Sequence, residues 1–157
     1  MTETDDGSRD ISLAADEQMV RRCFDLMRQL RPRLASEAEF VDRWKRQRAS
    51  GYKLAVYTTS DQVVALAGFY VRESLVHGAH LCVDDLIVEA DARSQRFGSR
   101  MIEYLKVTAS AAGCGKILLD TPMTNTLGQR FYLREHFAIT AFRLSLDLKT
   151  PNEQTSE

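Results

Sequence analysis

What the sequence lacks narrows it before any motif is read. It has no charge excess to offer a partner: 21 Lys and Arg stand against 22 Asp and Glu, a formal net charge of −1. That removes the general electrostatic pull toward nucleic acid or an acidic membrane surface, and neither is expected as a partner. No apolar run approaches the length of a membrane span, and the N-terminus is acidic rather than a basic, apolar leader. Cysteine is scarce. Cys23, Cys82 and Cys114 are an odd set without metal-type spacing, which leaves three small hydrophobes in a reduced, cytoplasmic compartment. His77 and His80 stand three apart with no third ligand near them in sequence, so no metal is expected. Internal repeats and low-complexity tracts are missing too. What remains is ordinary: 157 residues, 44% hydrophobic and 27% charged, enough chain for one domain with a substantial core. That domain is read as 11–149, between a flexible N-terminus at 1–10 and a flexible tail at 150–157.

Hydrophobic period then divides the chain. Ile11 to Leu13 suits a short first strand. Asp16-Glu17 opens a helix with Val20, Phe24, Met27 and Leu30 as its apolar stripe, and Pro32 stops it. Ser36, with Glu39 three residues on, is a capping box for a second helix that buries Phe40, Val41 and Trp44. From Tyr52 the period changes to two. Tyr52–Thr59 and Gln62–Val71 read as strands joined by a Ser60-Asp61 hairpin turn. A third long strand follows and ends at Val88. Lys116–Thr121 is another strand, Asn125 or Thr124 caps a last helix, and Phe137–Leu148 reads as one or two further strands. The order is (β)ααββ, βαβ, αβ. It predicts an α/β fold: a mixed, twisted β-sheet of about six to seven strands flanked by helices on both faces.

The stretch from Asp84 to Arg100 organises this order. Two carboxylates, Asp84 and Asp85, sit inside an otherwise apolar strand, which is costly unless they have partners or a task. The strand passes through Glu89–Ala92 into the loop Arg93-Ser94-Gln95-Arg96-Phe97-Gly98. A helix follows with Ile102, Leu105, Ala109 and Ala112 on one face and Gly113 as its cap. A polar loop before a helix N-terminus presents unpaired N–H groups and the positive end of the dipole, which suits a phosphate. This strand, loop and helix resemble the acyl-CoA-binding motif of the GNAT superfamily, the CoA-dependent N-acyltransferases, whose loop reads Gln/Arg-x-x-Gly-x-Gly/Ala. Arg93 fills the first position and Gly98 the last, while Arg96 stands at the middle glycine. Downstream, Asn125 and Phe131-Tyr132-Leu133-Arg134-Glu135-His136-Phe137 resemble the family's Asn…Phe-Tyr-x-x-x-Gly-Phe, with His136 in place of glycine. A non-glycine residue at a position needing φ > 0 costs roughly 1 kcal/mol or more.

The resemblance implies the GNAT fold, with central strands splayed between Val88 and Lys116–Thr121 to admit a pantetheine arm. It implies acetyl-CoA as cosubstrate. The pyrophosphate would lie on backbone N–H groups of Arg93, Ser94, Gln95, Arg96, Phe97, Gly98 and Ser99, and the thioester along Leu86, Ile87 and Val88. An N–H near Ile87 or Val88 would polarise the carbonyl. Asn125 is a helix cap, a ligand of the pantetheine amides, or both. Tyr132, otherwise a core aromatic, would be the general acid that protonates the leaving thiolate. Asp84 and Asp85 are either a general base with a second carboxylate that holds the amine, or structural carboxylates, one of which reaches the sheet edge or an arginine such as Arg72 or Arg143. A β-bulge there would change which side chain faces the cleft. Basic residues on the first two helices, such as Arg31 and Arg43, are read as a solvated face, with an anionic acceptor as the alternative. The acceptor implied is a small-molecule amine. The alternatives are a protein Nα- or lysine acetyltransferase and a non-catalytic acyl-CoA-binding module. The resemblance also implies a homodimer, with Phe142–Leu148 as its contact strand.

Overall fold

The change to a two-residue period at Tyr52 builds the sheet. In the computed structural model, which describes residues 10–148 apart from the side chains of residues 93–95, the strands are β1 (Ile11–Leu13), β2 (Lys53–Thr59), β3 (Gln62–Ser74), β4 (Gly78–Val88) and β5 (Ile117–Leu119). The terminal segments expected to be flexible lie outside the described residues, apart from Asp10. The strands lie side by side in chain order. The first four are antiparallel, and β5 joins β4 in parallel. The β2–β3 turn is the Ser60-Asp61 pair, with φ of +47° and +63°, as a two-residue hairpin with matching twist requires.

Among the described residues, five strands replace the six to seven expected. The loss is at Phe137–Leu148, where no strand forms among the described residues. Phe142, Leu144, Leu146 and Leu148 do alternate, but they are 93%, 92%, 86% and 83% exposed. Alternation says which side chains share a face. It does not supply the neighbouring strand whose N–H and C=O groups a ladder needs.

Helices cover both faces. On one side lie α1 (Glu17–Arg22), α2 (Phe24–Leu30) and α3 (Glu37–Ala49). Val20, Phe24, Met27, Phe40 and Trp44 meet the even-numbered side chains Leu54, Val56, Leu66 and Tyr70 in one buried cluster. The expected first helix is broken at Cys23, whose N–H bonds both Val20 O and Met19 O. It ends at Arg31, before Pro32. Ser36 caps α3 as expected, its Oγ accepting from Glu39 N at 3.1 Å, while the return bond of the capping box is shifted by one residue: Glu39 Oε2 accepts from Ala35 N. The odd-numbered Ala55, Tyr57, Ala65, Ala67 and Phe69 are fully buried on the other side. There α4 (Phe97–Ala111) packs against β3 and β4. Gly113, at φ +74°, closes α4 with a Schellman pair, Gly113 N to Ser110 O and Cys114 N to Ala109 O.

Residues up to Leu119 form one compact unit, and those from Asp120 form a second. The second contains α5 (Thr126–Arg134).

Candidate active site

A regular strand would send Asp84 and Asp85 to opposite faces of the sheet. The ladder is interrupted here. Gly68 on β3 faces Asp85, and the next residue, Phe69, already faces Val83. Asp84 is therefore the extra residue of a β-bulge, and the alternation resets at that point. Asp85 turns toward the helix side, where Tyr52 O–H donates to its Oδ2 at 2.7 Å. Asp84 Oδ1 lies 3.7 Å from Cys82 Sγ, which donates to it. Burial first, then the charge of Asp85, then that of Asp84, pushes the Tyr52 phenol far above its ordinary value. The Tyr70 phenol is raised by burial and then by Asp84. Both carboxylates thus act on the same two phenols, which stack edge to face 5.4 Å apart.

The partner of the carboxylates is neither Arg72 nor Arg143. Arg72 lies over the Tyr70 ring at 4.3 Å, and Arg143 pairs with Asp120. The partner is Arg31, at the end of α2. Its Nε donates to Asp85 Oδ1 at 2.9 Å, its Nη2 reaches the same oxygen at 2.8 Å, and Nη2 also donates to the Asp84 carbonyl at 2.7 Å. Sequence reading placed Arg31 on a solvated face and Tyr52 at a strand start. The packing of α2 on β4 brings Arg31 to Asp85, and the β2–β3–β4 ladder brings Tyr52 there. Gly68 makes room for them, since a Cβ there would fall 1.8 Å from the Tyr52 hydroxyl and 2.6 Å from Asp85 Oδ2.

Beyond the bulge, β4 has an open edge. Pairing with β5 covers Leu81, Cys82 and Val83 and stops. Residues from Asp84 to Val88, including Leu86 and Ile87, have no strand on that side among the described residues, and all but the exposed Asp84 are half-buried. Glu89 N donates to Val64 O on β3. Alternation then turns the Ile87 N–H toward β3 and the Val88 N–H toward the open edge.

The expected loop is a 3-10 turn over Ala90–Gln95, which contains Arg93, Ser94 and Gln95. Arg96 follows at φ +63°, ψ +18° and is the N-cap of α4, with no side-chain cap of its own. Phe97, Gly98 and Ser99 are not loop residues but the first turn of the helix. The residue at the middle glycine of the motif therefore does hold a left-handed conformation. The N-terminus of an α-helix presents N–H groups and the positive end of the dipole, which suits a phosphate.

In the second unit, Asn125 Oδ1 accepts from Gly128 N at 3.0 Å and caps α5. Tyr132 is half-buried, its ring 5.3 Å from Phe131 and 5.7 Å from Phe137, and burial raises its phenol. His136 ends α5 at φ +68°. Its N–H goes to Leu133 O, and the N–H of Phe137 goes to Tyr132 O. This is a Schellman cap, in which glycine is the usual occupant. Both missing glycines of the two motifs thus fall at positive φ.

Elsewhere the basic helices spend much of their charge locally: Arg43 pairs with Glu39, Lys45 with Glu17, and Arg48 lies over Trp44. His80 is buried, with Nδ1 2.9 Å from Gly78 O and its ring edge-on to His77. No cluster of metal-ligating residues occurs among the described residues, and no described helix is long and apolar enough to cross a membrane. An open depression of about 420 Å³ beside β1 is lined by Trp44, Arg48 and Tyr52, but not by Asp84 or Asp85.

Comparison with known proteins bears on this arrangement. The pattern of the Acetyltransferase (GNAT) family matches residues 18–137. Glucosamine 6-phosphate N-acetyltransferase 1 of Dictyostelium discoideum is 27% identical over 133 residues, 81% of this chain and 83% of the relative. The aminoglycoside acetyltransferase AAC(6′)-Iy, solved with a bisubstrate analogue, superposes with a TM-score of 0.76 at 17% identity, over 90% of this chain and 98% of its own. Glucosamine-6-phosphate N-acetyltransferase from Arabidopsis thaliana gives 0.70 at 19% identity, over 88% and 99%. At these identities the two solved structures speak for the fold.

Proposed function

The chain belongs to the GNAT family of acetyl-CoA-dependent N-acetyltransferases, and from that premise we propose that residues 11–149 act as one domain that moves the acetyl group of acetyl-CoA to a primary amine of a small molecule. Transfer is direct, in a ternary complex. The amine nitrogen attacks the thioester carbonyl carbon, the C–N bond forms and the C–S bond breaks. An ammonium substrate yields amide, CoA thiol and one released proton. Acetyl-CoA is the cosubstrate, and the chemistry asks nothing of a metal ion.

The observation that carries this reading is the bulge that sets Asp84, exposed, next to Asp85, held by Arg31 and Tyr52, beside the open edge of β4. Two carboxylates can hold an ammonium group and take its proton. The loop and first turn from Arg93 to Ser99 hold the pyrophosphate through backbone N–H groups, and the Val88 N–H polarises the carbonyl. Asn125, besides capping α5, binds the pantetheine amides. Tyr132 protonates the leaving thiolate, and burial keeps its phenol loaded at working pH. Relatives named for glucosamine 6-phosphate and for aminoglycosides support an amino-sugar-like acceptor. A CoA-release assay over a panel of amino sugars, aminoglycosides, polyamines and peptide N-termini tests the class. Turnover confined to peptides or proteins would replace it with a protein Nα- or lysine acetyltransferase.

A second reading, a non-catalytic acyl-CoA-binding module, draws on Arg96 and His136 at positive φ where the motifs have glycine. Acetyl-CoA binding without CoA release on any amine would favour it. We further propose a cytoplasmic homodimer. The exposed side chains of Phe142, Leu144, Leu146 and Leu148 form an apolar row that a second copy would cover. Light scattering should give twice the chain mass, and a monomer at high concentration would remove this proposal.

A further inference from the structure

The two carboxylates at the bulge are not equivalent, and their surroundings divide the work between them. A carboxylate offers about four acceptor positions. Two hydrogen-bond donors already occupy Asp85, Arg31 Nε on Oδ1 and the Tyr52 hydroxyl on Oδ2, and Arg31 Nη2 adds an ion-pair contact to Oδ1 at 2.8 Å. Its side chain is 14% exposed. Asp85 has room for one more donor on Oδ2, but a proton arriving on Oδ1 would displace an Arg31 contact. Asp84 is exposed, and its carboxylate has the Cys82 thiol at 3.7 Å. Its backbone is fixed, because its carbonyl accepts from Arg31 Nη2. We infer that Asp84 takes the proton from the acceptor amine, that Asp85 stays an anion and holds the ammonium, and that Tyr52 and Arg31 are positioning residues that fix Asp85. This rests on the amine-acetyltransferase reading above.

The placement of the charges supports it. Arg31 pairs with Asp85, and Arg72 lies over the Tyr70 ring at 4.3 Å, so among the described residues no ion pair takes the Asp84 carboxylate, which can meet a cationic amine. Arg31 also has no second acid to choose from in the described structure, since its ion pair is with Asp85 alone.

Steady-state kinetics on Asp84→Asn, Asp85→Asn, Tyr52→Phe and Arg31→Lys, with acetyl-CoA affinity and melting temperature measured beside them, test the assignment. Asp84→Asn should lower kcat at least about a hundredfold, as loss of a general base does, with amine KM and melting temperature near wild type. Tyr52→Phe removes one hydrogen bond to a charged group. It should raise the amine KM about tenfold or more, with a much smaller change in kcat and none in acetyl-CoA affinity. Arg31→Gln, added to the panel, should raise the amine KM, and Arg31→Lys should raise it less. If Asp85→Asn does not fold, the Tyr52 and Arg31 variants still decide. An Asp84→Asn enzyme with unchanged kcat overturns the inference. So does a Tyr52→Phe protein that only melts earlier, with kcat and KM per folded molecule preserved. Wild type that releases no CoA with any amine overturns the acceptor reading and this division together, whereas an active Asp84→Asn enzyme overturns the division alone.

Discussion

Replacing Gly68 by alanine should strike the candidate site without touching a charged residue. Gly68 faces Asp85 across the ladder. A Cβ there would lie 1.8 Å from the Tyr52 hydroxyl, 2.4 Å from its Cζ and 2.6 Å from Asp85 Oδ2. None of these atoms is the loose end of a flexible chain. Tyr52 is 5% exposed and packs edge to face on Tyr70, and Asp85 is held by Arg31. Overpacking of this kind costs about 1–3 kcal/mol. If Tyr52 swings away, its hydrogen bond to a charged acceptor is lost as well, at about 1.5–3 kcal/mol. Together these come to roughly 2.5–6 kcal/mol. For a domain of this size each kcal/mol lowers Tm by about 2–4 °C, so the expected drop is roughly 5–24 °C. Thermal unfolding followed by circular dichroism measures it. Tyr52→Leu removes both offending phenol atoms, so it should cost less in the Gly68→Ala background than in wild type, with a coupling of at least about 1 kcal/mol. A drop below about 2 °C, or strict additivity of the two substitutions, would refute the steric argument.

The other predictions concern the strained loop, the acid and the buried thiol. Arg96→Gly relieves a left-handed arginine at φ +63° and should raise Tm by about 2–4 °C, the equivalent of roughly 1 kcal/mol. Acetyl-CoA affinity by calorimetry should be equal or better, and a large loss would make the Arg96 side chain a phosphate ligand instead. Tyr132→Phe should lower kcat at least tens-fold with acetyl-CoA affinity nearly unchanged, because only the hydroxyl goes. Unchanged kcat, with chemistry limiting the rate, would end the acid assignment. Burial pushes the Cys23 thiol from 9.0 up to about 12. In the native protein a thiol reagent at about pH 8 should label Cys82 and Cys114, and reach Cys23 only on unfolding. Because the folded value is the higher one, the unfolded thiol ionises first. Whatever stability this group contributes should therefore be present below about pH 9 and fall as pH rises toward about 12. A midpoint in urea that does not fall over that range would count against a buried neutral thiol.

Local signals read well from sequence where they are self-contained. The Ser36 cap, the Ser60-Asp61 turn, the Gly113 cap and the stop before Pro32 each depend on a few neighbouring residues, and the structure has all of them. The motif reading also put Arg96 and His136 where the family has glycine, and expected a cost at Arg96 if that position needs φ > 0. Arg96 and His136 do hold it, because the turn at a helix end is set by backbone hydrogen bonds rather than by the side chain.

What sequence alone determined, then, was the family, the order of elements and the presence of two aspartates that required an explanation. The tertiary structure decided what surrounds them. A bulge is a mismatch between two strands, so neither strand shows it by itself, and it alone turns Asp85 toward Tyr52 and leaves Asp84 exposed. Arg31 lies 54 positions from Asp85 in the chain, and no local pattern picks it over Arg72 or Arg143. The choice is made by the packing of α2 across β4. The same limit explains the missing strands at Phe137–Leu148. Alternation marks a chain as able to pair, but pairing needs a second chain edge at about 4.7–4.9 Å, and that edge is a property of the assembled fold rather than of the segment.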